Sequence, residues 1–213
     1  KDGDTAVQII PMLKEYLENE VIFTETELKS NFINCDCPIM GTNESELMKE
    51  SADVLCSNNG SVLNVGFGLG IIDTYIRNHN PKEHHIIEAH PQVCEKAKEM
   101  GFDVHCGLWE DVIKNFIKEG KRFDSIYFDT YVFDYEKYPQ WASFTKIVPK
   151  LLNPNGIYSY FNDIASKIEK VEEIIEPFGW EKHIKTIPHP VGHQTYELIW
   201  WINKWFLKIL IFI

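Results

Sequence analysis

Ser61 to Gly70 reads SVLNVGFGLG, and IIDTYIRN follows from Ile71 to Asn78. An apolar run short enough for one strand breaks at glycines on alternate positions, Gly66, Gly68 and Gly70, and a helical period begins directly after them. Such a turn lets the backbone reverse tightly at a strand end and gathers the free N–H groups of the next helix at one spot, where a ligand can approach closely. Alone the pattern is weak, because a tight β-to-α turn can use glycines for packing only.

Glu88 sharpens it. This residue closes a second apolar run, HHIIEA, roughly 20 residues past the loop, where an acid on the neighbouring strand can accept both ribose hydroxyls. A solvated strand-end glutamate is the plainer alternative. Loop and acid together predict an adenosyl cofactor. A dinucleotide wants a third glycine three residues after the second, to admit its pyrophosphate. Here Gly70 follows Gly68 by two, and Ile71 stands next. That spacing suits S-adenosylmethionine, which carries no phosphate, better than NAD.

Outward from the loop, apolar runs alternate with helical ones: VLNV, IIDTYIRN, HHIIEA, PQVCEKAKEM, FDVHC, EDVIKNFIKEG, FDSIYFDTY, FTKIVPKLL, GIYSYFN and IASKIEKVEEIIEPFG. Strands apolar on both faces, each followed by a helix, predict an α/β, Rossmann-like doubly wound sheet with helices on both faces. A last core strand is expected over Tyr196 to Trp201. The tail beyond it is rich in Trp, Ile and Phe, but Asn203, Lys204 and Lys208 interrupt a segment already shorter than the roughly 20 apolar residues of a bilayer span. Packing on protein is expected there, with an interfacial anchor as the alternative.

Ahead of the loop, Ala6 to Asn19 has a helical period that starts or kinks at Pro11, while Val21 to Cys37 shows no clear period. Asn43-Glu-Ser-Glu46 reads as a capping box for a helix ending near Asn58 to Gly60. Residues 1–60 are therefore expected to form an N-terminal helical extension contributing to an active-site lid, and residues 61–213 the cofactor-binding domain.

The chain carries 21 Lys and Arg against 32 Asp and Glu, a formal charge of -11 that repels phosphate backbones, so nucleic acid is not expected as a partner. Five cysteines, Cys35, Cys37, Cys56, Cys94 and Cys106, lack the dense spacing of a disulfide framework, and KDGDTAVQII has no apolar signal segment. The cytoplasm, with the nucleus as a second compartment, is the expectation, and Cys35 and Cys37, one residue apart and so off a zinc-finger spacing, read as small, partly buried thiols. His183, His189 and His193 have their helical spacing broken by Pro190 and Gly192, and no metal site is expected.

Two further markers complete the set. Gly107-Leu108-Trp109-Glu110-Asp111 follows the third strand, where an apolar residue and a large ring can border adenine, although a lone Trp there is more often a core contact. FDSIYFDTY ends a buried strand with Asp129, and acids at the carboxyl ends of parallel strands point into the ligand crevice or cap a helix.

VGFGLGII, IIEAH, GLWED and YFDTY, in this order and spacing, resemble the guanidinoacetate methyltransferases and the fungal arginine N-methyltransferase 2 group, over about Asn34 to Asn162. The resemblance implies a seven-stranded methyltransferase sheet and an S-adenosylmethionine-dependent enzyme. It implies that Gly66, Phe67, Gly68, Leu69, Gly70, Ile71 and Ile72 cradle the methionine part of the cofactor, that Glu88, Ala89 and His90 line the ribose side, and that Leu108 and Trp109 flank adenine. Asp129 would sit between cofactor and substrate. The family's Trp-Glu-x-x-x-Met segment corresponds to Cys35-Asp36-Cys37-Pro38-Ile39-Met40, in which Met40 is kept and Asp36 replaces the glutamate.

A guanidinium is protonated and non-nucleophilic, so Asp129, with Asp36 as second catalytic candidate, would hold its planar fork and concentrate electron density on the reacting nitrogen. The substrate expected is arginine in protein, methylated at the internal δ nitrogen, with guanidinoacetate as the alternative. A cofactor-binding interaction protein without catalysis is the reading from another class.

Overall fold

The computed structural model describes residues 10–32, 35–163, 165–190, 192 and 194–204, and of residues 32, 35 and 36 the backbone alone. Helix α1, Pro11–Glu18, opens at the proline that lacks an N–H the first turn would leave unpaired. The expected start at Ala6 lies outside the described residues.

The next segment, for which the sequence shows no clear period, corrects the expectation of a helical extension. Strands β1 (Val21–Phe23), β2 (Glu27–Phe32) and β3 (Cys35–Gly41) form an antiparallel sheet in that order. Its period was hidden because β1 is three residues long and the β2–β3 register shifts between Leu28 and Lys29. A bulge of this kind breaks the alternation by which a strand is recognised. A 3-10 turn, Thr42–Glu44, leads into α2, Ser45–Leu55, which buries Leu47, Met48, Ala52 and Leu55. The expected capping box does not form: the N-cap is Glu44, without a side-chain cap bond, and the Asn43 amide donates instead to the Tyr196 hydroxyl at 3.4 Å.

From there the alternation is as expected: β4 (Ser61–Val65), α3 (Ile71–Asn78), β5 (Glu83–Glu88), α4 (Pro91–Glu99), β6 (Val104–Cys106), α5 (Trp109–Lys118) and β7 (Phe123–Phe128). Two short helices, α6 (Gln140–Thr145) and α7 (Val148–Leu151), precede β8 (Leu152–Tyr160), and α8 (Ala165–Ile175) precedes a closing hairpin. That hairpin is β9 (Glu181–Pro188) and β10 (Thr195–Ile202), of which only β10 was expected. Strand β9 is the sheet's outer edge and mostly exposed, with Ile184 53% exposed, so it lacks the apolar run of an inner strand.

The seven strands run β6-β5-β4-β7-β8-β10-β9, parallel except for β10, which is antiparallel to both neighbours. All five residues of β4 are buried, because one face of the sheet packs on α2, α3 and the N-terminal segment and the other on α5 to α8. Chain order reverses between β4 and β7, and the carboxyl ends of strands open a crevice at such a point.

The cysteines correct another expectation. Cys94 of α4 and Cys106 at the end of β6 are joined in a disulfide, Cys37 is disulfide-bonded as well, and Cys56 is a buried thiol. No described helix is long and apolar enough to cross a membrane. The tail from residue 205 lies outside the described residues, as does His193, while the His183 ring stacks on Trp200.

Candidate active site

The glycine loop forms because two strand ends approach too closely for any side chain. Gly66 has φ +99°, and a Cβ there would stand 1.9 Å from the Asp129 carbonyl oxygen. The Asp129 N–H meanwhile donates to the Val65 carbonyl at 2.9 Å, so β4 and β7 are bonded where they diverge. At Gly68, with φ +56°, the obstacle is Met40: its Sδ lies 2.6 Å from where a Cβ would be and accepts the Leu69 N–H at 3.3 Å. Strand β3 thus seats Met40 on the loop, although 28 residues separate it from Gly68 by number.

Below the loop, Asn64 is wholly buried and its amide donates to the Asp73 carboxylate and to the Gly66 carbonyl, both at 2.9 Å. The other Asp73 oxygen meets His84 Nε2 at 2.8 Å, and burial raises the Asp73 carboxyl above its ordinary range. This network ties β4, α3 and β5 together under the turn.

Glu88, 8% exposed, closes the other side. One carboxylate oxygen accepts the Phe67 N–H at 2.9 Å and the other the His90 N–H at 2.8 Å. Burial raises its pKa, against which those N–H groups act. The Gly68 N–H bonds the carboxylate as well, so three donors leave it one lone pair for a further partner. His90 turns its ring away: Nδ1 accepts the Gln92 N–H at 3.2 Å, Nε2–H donates to the Asn19 carbonyl at 2.9 Å, and the ring meets Tyr16 of α1 at 4.9 Å.

Between these walls lies a cavity of about 160 Å³. Loop residues Gly66, Phe67 and Gly68 line it together with Met40, Ile72, Glu88, Ala89, Leu108, Trp109 and Asp129. Leu13 and Tyr16 of α1 cover it beside Tyr131 and Phe133 of the loop after β7. Trp109 shows the cavity only part of itself. Its ring stands edge-on to Phe128 and Phe144 and its indole N–H donates to Gln140 at 3.1 Å, so it is chiefly a core residue.

The far wall is acidic. Asp129, Glu44 and Asp163 line the cavity with Lys167, whose side chain is 3% exposed and whose ammonium sits 3.2 Å from Asp163. Tyr135 donates to the other Asp163 oxygen. Burial pushes Asp129 up to about 7; Lys167 pulls the other way, and Asp163 and Asp73 add repulsion. Glu44 is pushed up to about 8, again first by burial and then by Asp129, despite a bond from the Gly41 N–H. Two carboxyls short of positive charge share one enclosed space. A planar cation able to take hydrogen bonds from both is the chemistry this wall accommodates.

The family model described as guanidinoacetate N-methyltransferase matches residues 14–175. The chain belongs to the guanidinoacetate N-methyltransferase family. It is 36% identical over 164 residues to the protein arginine N-methyltransferase 2 of Yarrowia lipolytica, covering 71% of this chain and 34% of that one. To the Candida glabrata protein of the same name it is 38% identical over 162 residues, covering 71% and 38%. The chain thus spans between about a third and two fifths of the length of these relatives. Among solved structures, the N-methyltransferase NodS of Bradyrhizobium japonicum superposes with a TM-score of 0.55 at 14% identity, covering 76% of this chain and 96% of that one. At that identity the likeness is one of fold.

Within this family frame, most residues singled out from the sequence converge. Leu69, Gly70, Ile71 and His90 do not line the cavity; they shape the turn and the α1 contact that do. Asp36 pairs in backbone register with Asn31, and its side chain lies outside the described residues. Glu44, Asp163, Lys167, Tyr16 and Gln140 are cavity residues that sequence reasoning missed. Of these, Glu44 stands inside the Asn43-Glu-Ser-Glu46 capping pattern, which masks its place at the cavity.

Proposed function

We propose that this chain is an S-adenosylmethionine-dependent methyltransferase acting on a guanidino nitrogen, most suitably that of arginine in protein. The observation that carries the reading is Asp129: its backbone closes the glycine loop while its carboxyl shares the adjoining cavity with Glu44. Donor and acceptor of the methyl group would meet at this residue.

The loop suits the cofactor on the structure's own terms. Gly66 and Gly68 keep a cradle open that a Cβ would fill, the Glu88 carboxylate lines it with acceptor capacity to spare, and Ile87, Ala89 and Leu108 give an apolar slot. The bound cofactor supplies a methyl group on a sulfonium. Everything else falls to the protein. Asp129 and Glu44 would hold the guanidinium fork through charge-assisted hydrogen bonds, aligning one nitrogen on the methyl carbon, and a carboxylate oxygen of Asp129 would take the proton which that nitrogen gives up. Tyr16, Tyr131 and Phe133 would exclude water.

Arginine in protein is preferred to guanidinoacetate because the latter brings a carboxylate of its own. Among the described residues lining the cavity Lys167 is the sole cation, and it is committed to Asp163. Incubation with methyl-labelled cofactor and either an arginine peptide or guanidinoacetate tests the choice. Label in the peptide supports it, label in creatine reverses it, and cofactor binding without transfer to either supports an inactive interaction protein.

A further inference from the structure

Outside the cavity, two imidazoles and a carboxylate converge at the free edge of the sheet. His85 lies on β5 and His105 on the edge strand β6, and since Ile87 pairs with His105 the two rings share one face. His85 Nδ1 is 3.2 Å from His105 Nε2 and 3.3 Å from an Asp103 oxygen, and the three donor atoms all lie within 4.8 Å of one another. Two ligand atoms about 2.0–2.1 Å from a tetrahedral zinc stand about 3.3–3.4 Å apart. Two edges of such a tetrahedron are therefore already present.

The surroundings match as well. His85 Nε2 faces a Glu83 oxygen at 3.3 Å, and a carboxylate taking the outer N–H of an imidazole leaves the other nitrogen with its lone pair directed at the metal position. The rings are held in place: both stand edge-on to Phe116, at 6.2 Å for His85 and 4.9 Å for His105, and His85 also meets Phe123 at 5.7 Å. The His85 side chain is 14% exposed and that of Asp103 is 66%, so the cluster rests on a dry floor and opens to solvent on one side. Lys121, over the opposite partner Phe116 at 4.6 Å, is the nearby cation, and Glu119 pairs with it at 3.5 Å.

We propose that His85, Asp103 and His105 bind a divalent transition-metal ion of the zinc type, with water completing the coordination. The ion would be structural. None of the three residues lines the cavity, but Cys106 and Gly107 follow His105 directly, and the Gly107 N–H donates to the Glu88 carbonyl at 2.8 Å. Clamping β6 to β5 would fix the strand that carries Leu108 to the cavity wall. No spacing motif announces the site, because its two histidines are 20 residues apart and meet only through strand pairing.

The test is titration of the chelator-treated protein, in the absence of reductant, with Co²⁺ and with Zn²⁺. One equivalent of Co²⁺ taken up with intense visible absorption, and a Zn²⁺-dependent rise in unfolding temperature, are expected. His105→Ala should abolish both. Asp103→Asn, at an exposed position that leaves the core untouched, should weaken uptake at least about tenfold, and Glu83→Gln by about tenfold through the lost orienting bond. No uptake by the wild-type protein would overturn the proposal in favour of a proton shared by the cluster. Equal uptake by folded Asp103→Asn and His105→Ala variants would overturn it in favour of binding elsewhere.

Discussion

The carboxylate of Glu88 accepts the backbone N–H of Phe67 at 2.9 Å, so the acid at the end of β5 also holds the glycine loop at the end of β4. One residue thereby serves the shape of the site and its polarity. Replacing Glu88 with Ala removes this acceptor and that of the His90 N–H, and leaves both donors buried. Cofactor affinity is expected to fall by about 1–3 kcal/mol, with a loss of stability of similar size. Calorimetry finding unchanged affinity for S-adenosylmethionine would remove Glu88 from the site.

Gly66→Ala is expected to be far more damaging than Gly101→Ala, although both glycines have positive φ. At Gly66 the added carbon meets the Asp129 carbonyl, whereas at Gly101 nothing lies within 4 Å, so only the backbone strain remains. Gly66→Ala should separate the β4 and β7 ends and lose cofactor binding altogether. Gly101→Ala should bind normally with slightly lowered stability. Equal binding by the two variants would show that the close approach at Gly66 has no bearing on the site.

The acidic wall predicts a pH dependence with a definite sign. Burial above all puts Asp129 at about 7, and burial followed by repulsion from Asp129 puts Glu44 at about 8, so a guanidinium meets ionised partners only as pH rises through that range. The acidic limb of kcat/KM should therefore lie near neutrality. Glu44→Gln removes the group that ionises last, so the limb should move down to that of Asp129, near 7, while KM for the guanidino substrate rises. For the ligand-free protein the linkage runs in the same window. The folded state keeps protons that an unfolded chain releases near pH 4, so these two groups lower stability as pH climbs from about 4 through 8. Asp129→Asn should accordingly raise the unfolding temperature more at pH 8 than at pH 5. An unmoved limb in Glu44→Gln would show that the ionisation of Glu44 does not set it.

What was legible in the sequence follows from burial. Strands β4, β7 and β8 are buried over most of their length and β5 over its second half, which favours apolar runs and makes them readable one after another, and the loop and Glu88 sit at their ends. Strand β9 and the β1–β3 sheet were not legible. One is an exposed edge, and the other is interrupted by a bulge and by Pro38, so neither keeps a period. Chemistry at strand ends was legible for the same reason as the strands. Glu44, on a 3-10 turn, and Asp163 with Lys167, at the entry to α8, reach the cavity only through the folding of distant segments. The disulfide between Cys94 and Cys106 likewise depends on α4 packing beside β6.

Asp129→Asn tests the central claim most directly, because it keeps the shape of the side chain, leaves the backbone contacts to Val65 and Gly66 intact and removes only the charge. The measurement is the rate of methyl transfer to an arginine peptide under saturating S-adenosylmethionine, with folding and cofactor affinity checked in parallel. A folded variant that binds cofactor as the wild type does, yet transfers methyl groups slower by about two or more orders of magnitude, is the predicted result. Near-normal transfer by that variant would contradict the assignment of Asp129 as the residue where cofactor and guanidino group meet.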